Sequence, residues 1–143
     1  MRISRKAEHA VRALLDLALH APPGRGVRSS EIARRTAVPE NFLDAILLDL
    51  RKSGLVSSKR GPDGGHWLAR DPSRVTVRAI VEAIDGSLSP PRQKKRRAET
   101  LADVCLRQLW ERAEQAVSSV LQDTTLDHLR RQADSQGAPD FSI

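Results

Sequence analysis

The sequence predicts a mainly α fold with a small β wing: a winged helix-turn-helix domain followed by a long C-terminal dimerisation helix. Three observations predict it. Two short stretches of helical periodicity flank a turn of about three residues, the helix-turn-helix pattern. A basic, glycine-rich hairpin pattern follows at once, between Leu55 and Ala69. Beyond a Pro-containing linker, apolar residues recur at spacings of three and four along one long segment.

Each element has its own signal. Ala7, Ala10, Val11, Leu14, Leu15 and Ala18 form an apolar stripe, with Ser4 as N-cap and Pro22-Pro23-Gly24 as stop. Ser29 or Ser30 is expected to cap a short helix through Thr36. Ala37-Val38 makes the turn, and Pro39 suits the first position of the next helix. That helix turns Phe42, Leu43, Ile46, Leu47 and Leu50 inward and ends at Gly54.

Two strands follow, Leu55 to Lys59 and His66 to Ala69, around Gly61-Pro62-Asp63-Gly64-Gly65. Asp71-Pro72 breaks the second strand. Thr76 can cap a helix that buries Val77, Ile80, Val81 and Ile84 and stops at Gly86. A long helix runs from Glu99 to about Gln122. Its seam is Leu106, Leu109, Trp110, Ala113, Val117 and Val120, suited to a second copy of the chain. Thr124-Thr-Leu-Asp127 matches a capping box and starts a short last helix through Leu129.

The expected organisation is a winged domain over residues 1–86 and a basic linker over 87–98. The dimerisation and last helices take 99–131, and a flexible polar tail takes 132–143. No internal repeat is visible.

Charge is unevenly placed. The net charge is +6 over 143 residues. Residues 1–70 carry 13 Lys and Arg against 7 Asp and Glu, while residues 71–143 carry 11 of each. The half with the wing holds the whole excess, which points to a polyanion. One cysteine leaves no disulfide framework and suits a reducing cytoplasm. No apolar run approaches the ~20 residues of a membrane span. Glu8, His9 and Arg12 interrupt any signal-peptide core, so a cytoplasmic protein is expected.

Enzymatic readings fail on inventory. No Ser/His/Asp or Cys/His arrangement stands out, and Gly61 to Gly65 lies in a hairpin without a phosphate-loop Lys-Ser/Thr pair. Binding chemistry is better represented. The second helix of such a motif offers its N-terminal residues to base edges, here Glu40, Asn41 and Asp44. Asn can pair bidentately with adenine, and a carboxylate can accept from cytosine N4. The bland alternative for these residues is a solvated helix face.

Lys59 and Arg60 at the wing suit phosphate or minor-groove contact, and Gly61, Gly64 and Gly65 let the backbone turn close to it. Arg2, Arg5, Lys6, Ser30, Arg51 and Lys52 are further phosphate candidates. Arg34 and Arg35 read as solvated, and Trp67 and His66 as half-buried strand residues. Cys105 reads as a small buried hydrophobe or a redox-reactive thiol. The run at residues 92–97 is a solvated loop, an extra DNA contact or a docking element.

These motifs together resemble the Rrf-type regulators, the family of the iron–sulfur cluster regulator, the nitric-oxide-sensing repressor and the cysteine-metabolism repressor (the IscR, NsrR and CymR type). Met1-Arg-Ile-Ser resembles the family's start. Leu14-Leu-Asp-Leu-Ala-Leu-His20 resembles its first helix, and Leu50-Arg-Lys-Ser-Gly-Leu-Val56 with Arg60-Gly-Pro-Asp-Gly-Gly65 its helix end and wing. Val81-Glu-Ala-Ile-Asp-Gly86, Cys105-Leu-Arg-Gln-Leu-Trp110 and Thr125-Leu-Asp-His-Leu129 continue the match.

The resemblance implies a dimeric winged-helix repressor that binds inverted-repeat operators in double-stranded DNA. It also implies that the positions of Asn41, Asp44 and Arg60 read or reach DNA. Many members hold an iron–sulfur cluster through three cysteines before the long helix. Here only Cys105 matches one of them, so no cofactor is expected. A mixed ligand set of Glu8, His9 and Cys105 is the residual route to a cluster. The alternatives are a winged-helix protein-interaction module that regulates an enzyme or another regulator, and a redox or iron–sulfur sensor. The sequence does not name a small-molecule or protein effector.

Overall fold

A computed structural model describes residues 2–22, 25–88 and 99–137. Its helices are α1 (Arg5–His20), α2 (Ser29–Thr36), α3 (Glu40–Lys52), α4 (Val77–Asp85), α5 (Leu101–Asp123) and α6 (Leu126–Gln136). Strands β1 (Val56–Lys59) and β2 (Gly65–Leu68) lie between α3 and α4, and a 3-10 turn spans Pro72–Arg74. The basic run at 92–97, Pro23-Gly24 and residues 138–143 lie outside the described residues.

α1 is the central helix because small residues line its buried stripe. Ala7, Ala10 and Ala13 let neighbouring helices approach closely, while Leu14 and Leu17 fill the space between them. Ser4 caps it, accepting from the Ala7 amide at 3.0 Å. The Ser4 amide also donates to Asp85 Oδ2 at 2.9 Å, so the start of α1 is tied to the end of α4. Around α1 the core gathers Ile32, Val38, Leu43, Ile46, Leu47, Leu50, Leu55, Val56, Val75 and Ile80.

α2 and α3 are joined by a tight turn in which Ala37 adopts a left-handed conformation (φ 60°). That places Val38, 2 % exposed, into the core beneath both helices. Neither Ser29 nor Ser30 caps α2. Arg28 occupies the N-cap without a side-chain capping bond, and both serines lie in the first turn. Pro39 likewise sits at the N-cap of α3 rather than inside it.

The hairpin is antiparallel, pairing Val56 with Leu68, Ser57 with Trp67, Ser58 with His66 and Lys59 with Gly65. A further contact extends it. Val27 exchanges both backbone bonds with His66, at 2.9 and 2.8 Å. The approach is so close that a Cβ on Gly26 would stand 2.6 Å from the Gly65 backbone.

The C-terminal helices correct the expected organisation in three ways. α5 is opened by a capping box of Thr100 and Asp103, not from Glu99. α6 is capped by Thr125 and His128 rather than Thr124 and Asp127, and it stays helical to Gln136, where a flexible tail was expected from 132. Its first residue, Leu126, is fully buried in the same core as α1 and α3. The junction is stitched by backbone bonds from Val77 to Thr124 at 2.9 Å and from Leu126 to Val75 at 2.8 Å. α6 is thus part of the winged domain's core, although α5 reaches away from it.

Candidate nucleic-acid interface

The helix-turn-helix and the wing meet on one face. Glu40, Asn41 and Asp44 are exposed on the first turns of α3, and Lys59, Arg60 and Gly61 are exposed at the wing. Along the wing lies a groove lined by Arg28, Ser29, Arg51, Ser58, Lys59 and His66, together with Gly64 and Gly65. Four basic side chains, Arg28, Arg51, Lys59 and Arg60, border this one depression.

The wing tip is held in place, which sequence reasoning missed. Arg28 Nη2 donates to the carbonyls of Gly61 at 3.2 Å and Pro62 at 2.9 Å. Inside the turn the Gly64 amide donates to Gly61 at 2.9 Å. A Cβ on Gly64 would stand 2.3 Å from the Lys59 carbonyl oxygen, so only glycine fits there. Gly61 and Gly65 have φ of 109° and 142°, which favour glycine.

His66 joins wing to helix. Its Nδ1 shares a 2.7 Å hydrogen bond with Ser58 Oγ across the hairpin. Burial pushes the imidazole below its ordinary range, Asp44 opposes that, and Arg51 adds to it. Arg51 of α3 lines the same groove as His66 of β2.

The other phosphate candidates divide. Arg2, Arg5, Ser30, Arg51 and Lys52 are exposed. Lys6 is engaged with Asp49 of α3 at 2.7 Å, an ion pair between α1 and the helix expected to enter DNA. At the start of α2 the first backbone N–H groups have no side-chain cap, an arrangement suited to a phosphate beside Ser30.

Several expectations need correction. Phe42 is not inward but 58 % exposed, beside Asn41. Arg35 is not a free surface charge. It grips Asp16 through Nε at 2.8 Å and Nη2 at 2.9 Å, and Asp16 is only 5 % exposed. Cys105 is exposed in the chain rather than a buried hydrophobe.

The seam of α5 stands in the open. Leu106, Leu109, Trp110, Val117 and Val120 are all exposed, Trp110 by 60 %. Leu121 is the exception and packs with Leu129 against Ala7, Val77 and Val81.

The sequence matches the Rrf2 family, described as iron-dependent transcriptional regulators, over residues 3–132. The chain belongs to the Rrf2 family. This Rrf2 chain is 37 % identical to the HTH-type transcriptional regulator IscR of Yersinia enterocolitica over 130 residues, covering 90 % of this chain and 79 % of the relative. It is 36 % identical to the IscR of Serratia proteamaculans over the same shares. Among solved structures it resembles CymR, the global cysteine regulator of B. subtilis, with a TM-score of 0.80 at 29 % identity, covering 92 % of this chain and 98 % of that one. It also resembles T. potens IscR, with a TM-score of 0.76 at 29 % identity, covering 95 % and 90 %. The winged-helix architecture with a long C-terminal helix is shared, and the Rrf2 chain is a transcriptional regulator rather than an enzyme.

The donors present do not suit a cysteine-ligated iron–sulfur cluster. Such clusters take four ligands, mostly thiolates, and this Rrf2 chain has one cysteine. Among the described residues no three His, Cys, Asp or Glu side chains converge as a metal site. His9 Nδ1 is hydrogen-bonded to Arg12 at 3.1 Å. Glu8 and His9 lie on α1 and Cys105 on α5. No described helix is long and apolar enough to cross a membrane.

Proposed function

We propose that this Rrf2 regulator is a homodimeric repressor that binds inverted-repeat operators in double-stranded DNA. The observation that carries this is the shared face of α3 and the wing. Asn41 and Asp44 are exposed at the helix end that this reading takes into a major groove, and Arg28 bonds the wing turn at Gly61 and Pro62, next in the chain to Lys59 and Arg60. Asn41, Asp44 and Glu40 supply base contacts, with Arg60 at the wing. Lys59, Arg51, Lys52, Ser30, Arg5 and Arg2 supply phosphate contacts, which fix register without reading sequence. Lys6, exposed and paired with Asp49 of α3 in the free chain, stands with these phosphate contacts.

The seam of Leu106, Leu109, Trp110, Ala113, Val117 and Val120 supports the homodimer. An apolar row of this length on a single chain is unusual unless a partner covers it. Two reading heads fixed to one dimer axis suit an inverted repeat. The protein acts in the bacterial cytoplasm, where its relatives regulate transcription. It works without a cysteine-ligated cluster, and its effector is some other signal.

Affinity selection of genomic fragments from its own locus, at two salt concentrations with anaerobically purified protein, tests this. Recovery of an inverted repeat with half-sites whole helical turns apart is expected. Retention of DNA without an enriched sequence, or of none, overturns the repressor reading in favour of a protein-interaction module.

A further inference from the structure

Beside its polar readers, α3 exposes an apolar row. Phe42 is 58 % and Leu48 40 % exposed, and Ala45 between them is exposed too. At three-residue spacing they lie side by side on the helix. The core is filled without them by Leu43, Ile46, Leu47 and Leu50, and Phe42 lies at the edge of that face, outside it. A phenyl ring held in water forfeits the burial that drives folding, so its place is best explained by what covers it in use.

We propose that Phe42, with Ala45 behind it, reads thymine methyl groups in the major groove, as a specificity contact additional to Asn41. The proposal rests on the DNA-binding reading above. Phe42 is the third residue of α3, and helical side chains lean toward their own N-terminus. Its ring therefore extends over the helix end that enters the groove. The thymine C5-methyl is the apolar feature of the base edges there, and Phe and Ala are residue types that contact it. The surroundings favour DNA over an apolar protein surface. Arg28, Arg51, Lys59 and Arg60 line a groove on the other flank of α3, and residues 1–70 hold the chain's whole positive excess. Asn41 suits adenine, so a half-site read by this turn contains A·T pairs whose methyls lie within reach of the adjacent ring.

The test replaces thymidines one at a time by deoxyuridine, which lacks only the methyl, in the duplex recovered by the genomic selection. Wild-type protein is expected to lose about four-fold in affinity at one or two positions per half-site, the value of one buried methyl group. Phe42→Ala is expected to bind the unmodified duplex more weakly and to be indifferent to deoxyuridine at those positions. Asn41→Ala should keep the sensitivity. Tight binding by wild type with no sensitive thymidine overturns the proposal. Equal sensitivity in Phe42→Ala overturns the assignment to Phe42. Failure of wild type to hold any duplex overturns the DNA-binding reading itself, and this proposal with it.

Discussion

Arg28 and Gly61 are joined by a 3.2 Å hydrogen bond across 33 residues of chain, and the same guanidinium nitrogen reaches Pro62 at 2.9 Å. The N-cap residue of α2 thus ties the wing turn to the start of the helix-turn-helix. A mobile wing would have to be ordered when DNA binds, at about 1–2 kcal/mol per residue fixed. Arg28→Ala is expected to lower operator affinity about ten-fold while leaving the melting temperature nearly unchanged, since the bond is solvent-exposed. Faster hydrogen exchange at the Gly64 amide would locate the loosening in the wing. Unchanged affinity would show that the wing is rigid without Arg28.

Arg35 and Asp16 make a different kind of pair. Asp16 is nearly buried, so removing its bidentate partner leaves its carboxylate beneath α2 with only His20, at 3.8 Å, nearby. Arg35→Ala is expected to destabilise the fold by about 2–3 kcal/mol. Arg35→Lys, which keeps the charge but not the fork, should fall between the two. Chemical denaturation checks this, and a change within error of zero would mean that Asp16 finds another partner.

His66 gives stability a pH dependence. Burial lowers its folded value below the ordinary 6.5, so the unfolded chain binds the proton more readily. The contribution is complete above pH 6.5 and is lost as pH falls from there through the folded value. His66→Gln is expected to remove that part of the slope. Denaturation midpoints for both proteins across this range decide it, and parallel curves would mean the ring protonates freely in the fold.

The α5 seam predicts assembly. Trp110→Glu or Leu109→Glu is expected to convert a dimer to a monomer in sedimentation while circular dichroism stays unchanged, because both side chains are exposed in the single chain. The monomer should lose the inverted repeat yet hold a half-site weakly. A variant that remains dimeric would move the interface elsewhere.

At the wing, Lys59→Ala should weaken binding to all duplexes alike. It should also flatten the dependence of log affinity on log salt by about one unit, the value of one phosphate released. A loss confined to the operator, with the slope intact, would instead make Lys59 a base reader.

Much of this fold is legible in the sequence because its signals are local. Ser4 and Thr76 cap where expected, Gly86 stops α4, and the glycines from Gly61 to Gly65 mark the hairpin turn. The exposure of Asn41, Asp44, Lys59 and Arg60 follows from the same local order. What escapes depends on pairs far apart in the chain. Val27 pairs with His66, and Arg35 with Asp16, without any periodicity that links them. Phe42 misled because hydrophobicity alone assigned it to the core, whereas its angular position on α3 lies beside, not among, Leu43, Ile46 and Leu47. Thr124 and Thr125 are equally good caps by residue type. The bridge between Thr76 and Thr125 coincides with the second as N-cap.

That bridge has a mechanical meaning. With Leu126 sunk in the core and Thr124 and Val75 bonded to their neighbours across it, the corner after α5 behaves as a clamped hinge pin. α5 is then a lever arm of 23 residues, about 35 Å long. A tilt of about 5° at the clamp displaces the far end by about 3 Å, comparable to the rise of one base pair. In the proposed dimer, a change in how two such arms meet would alter the gap between the two α3 helices without touching either of them.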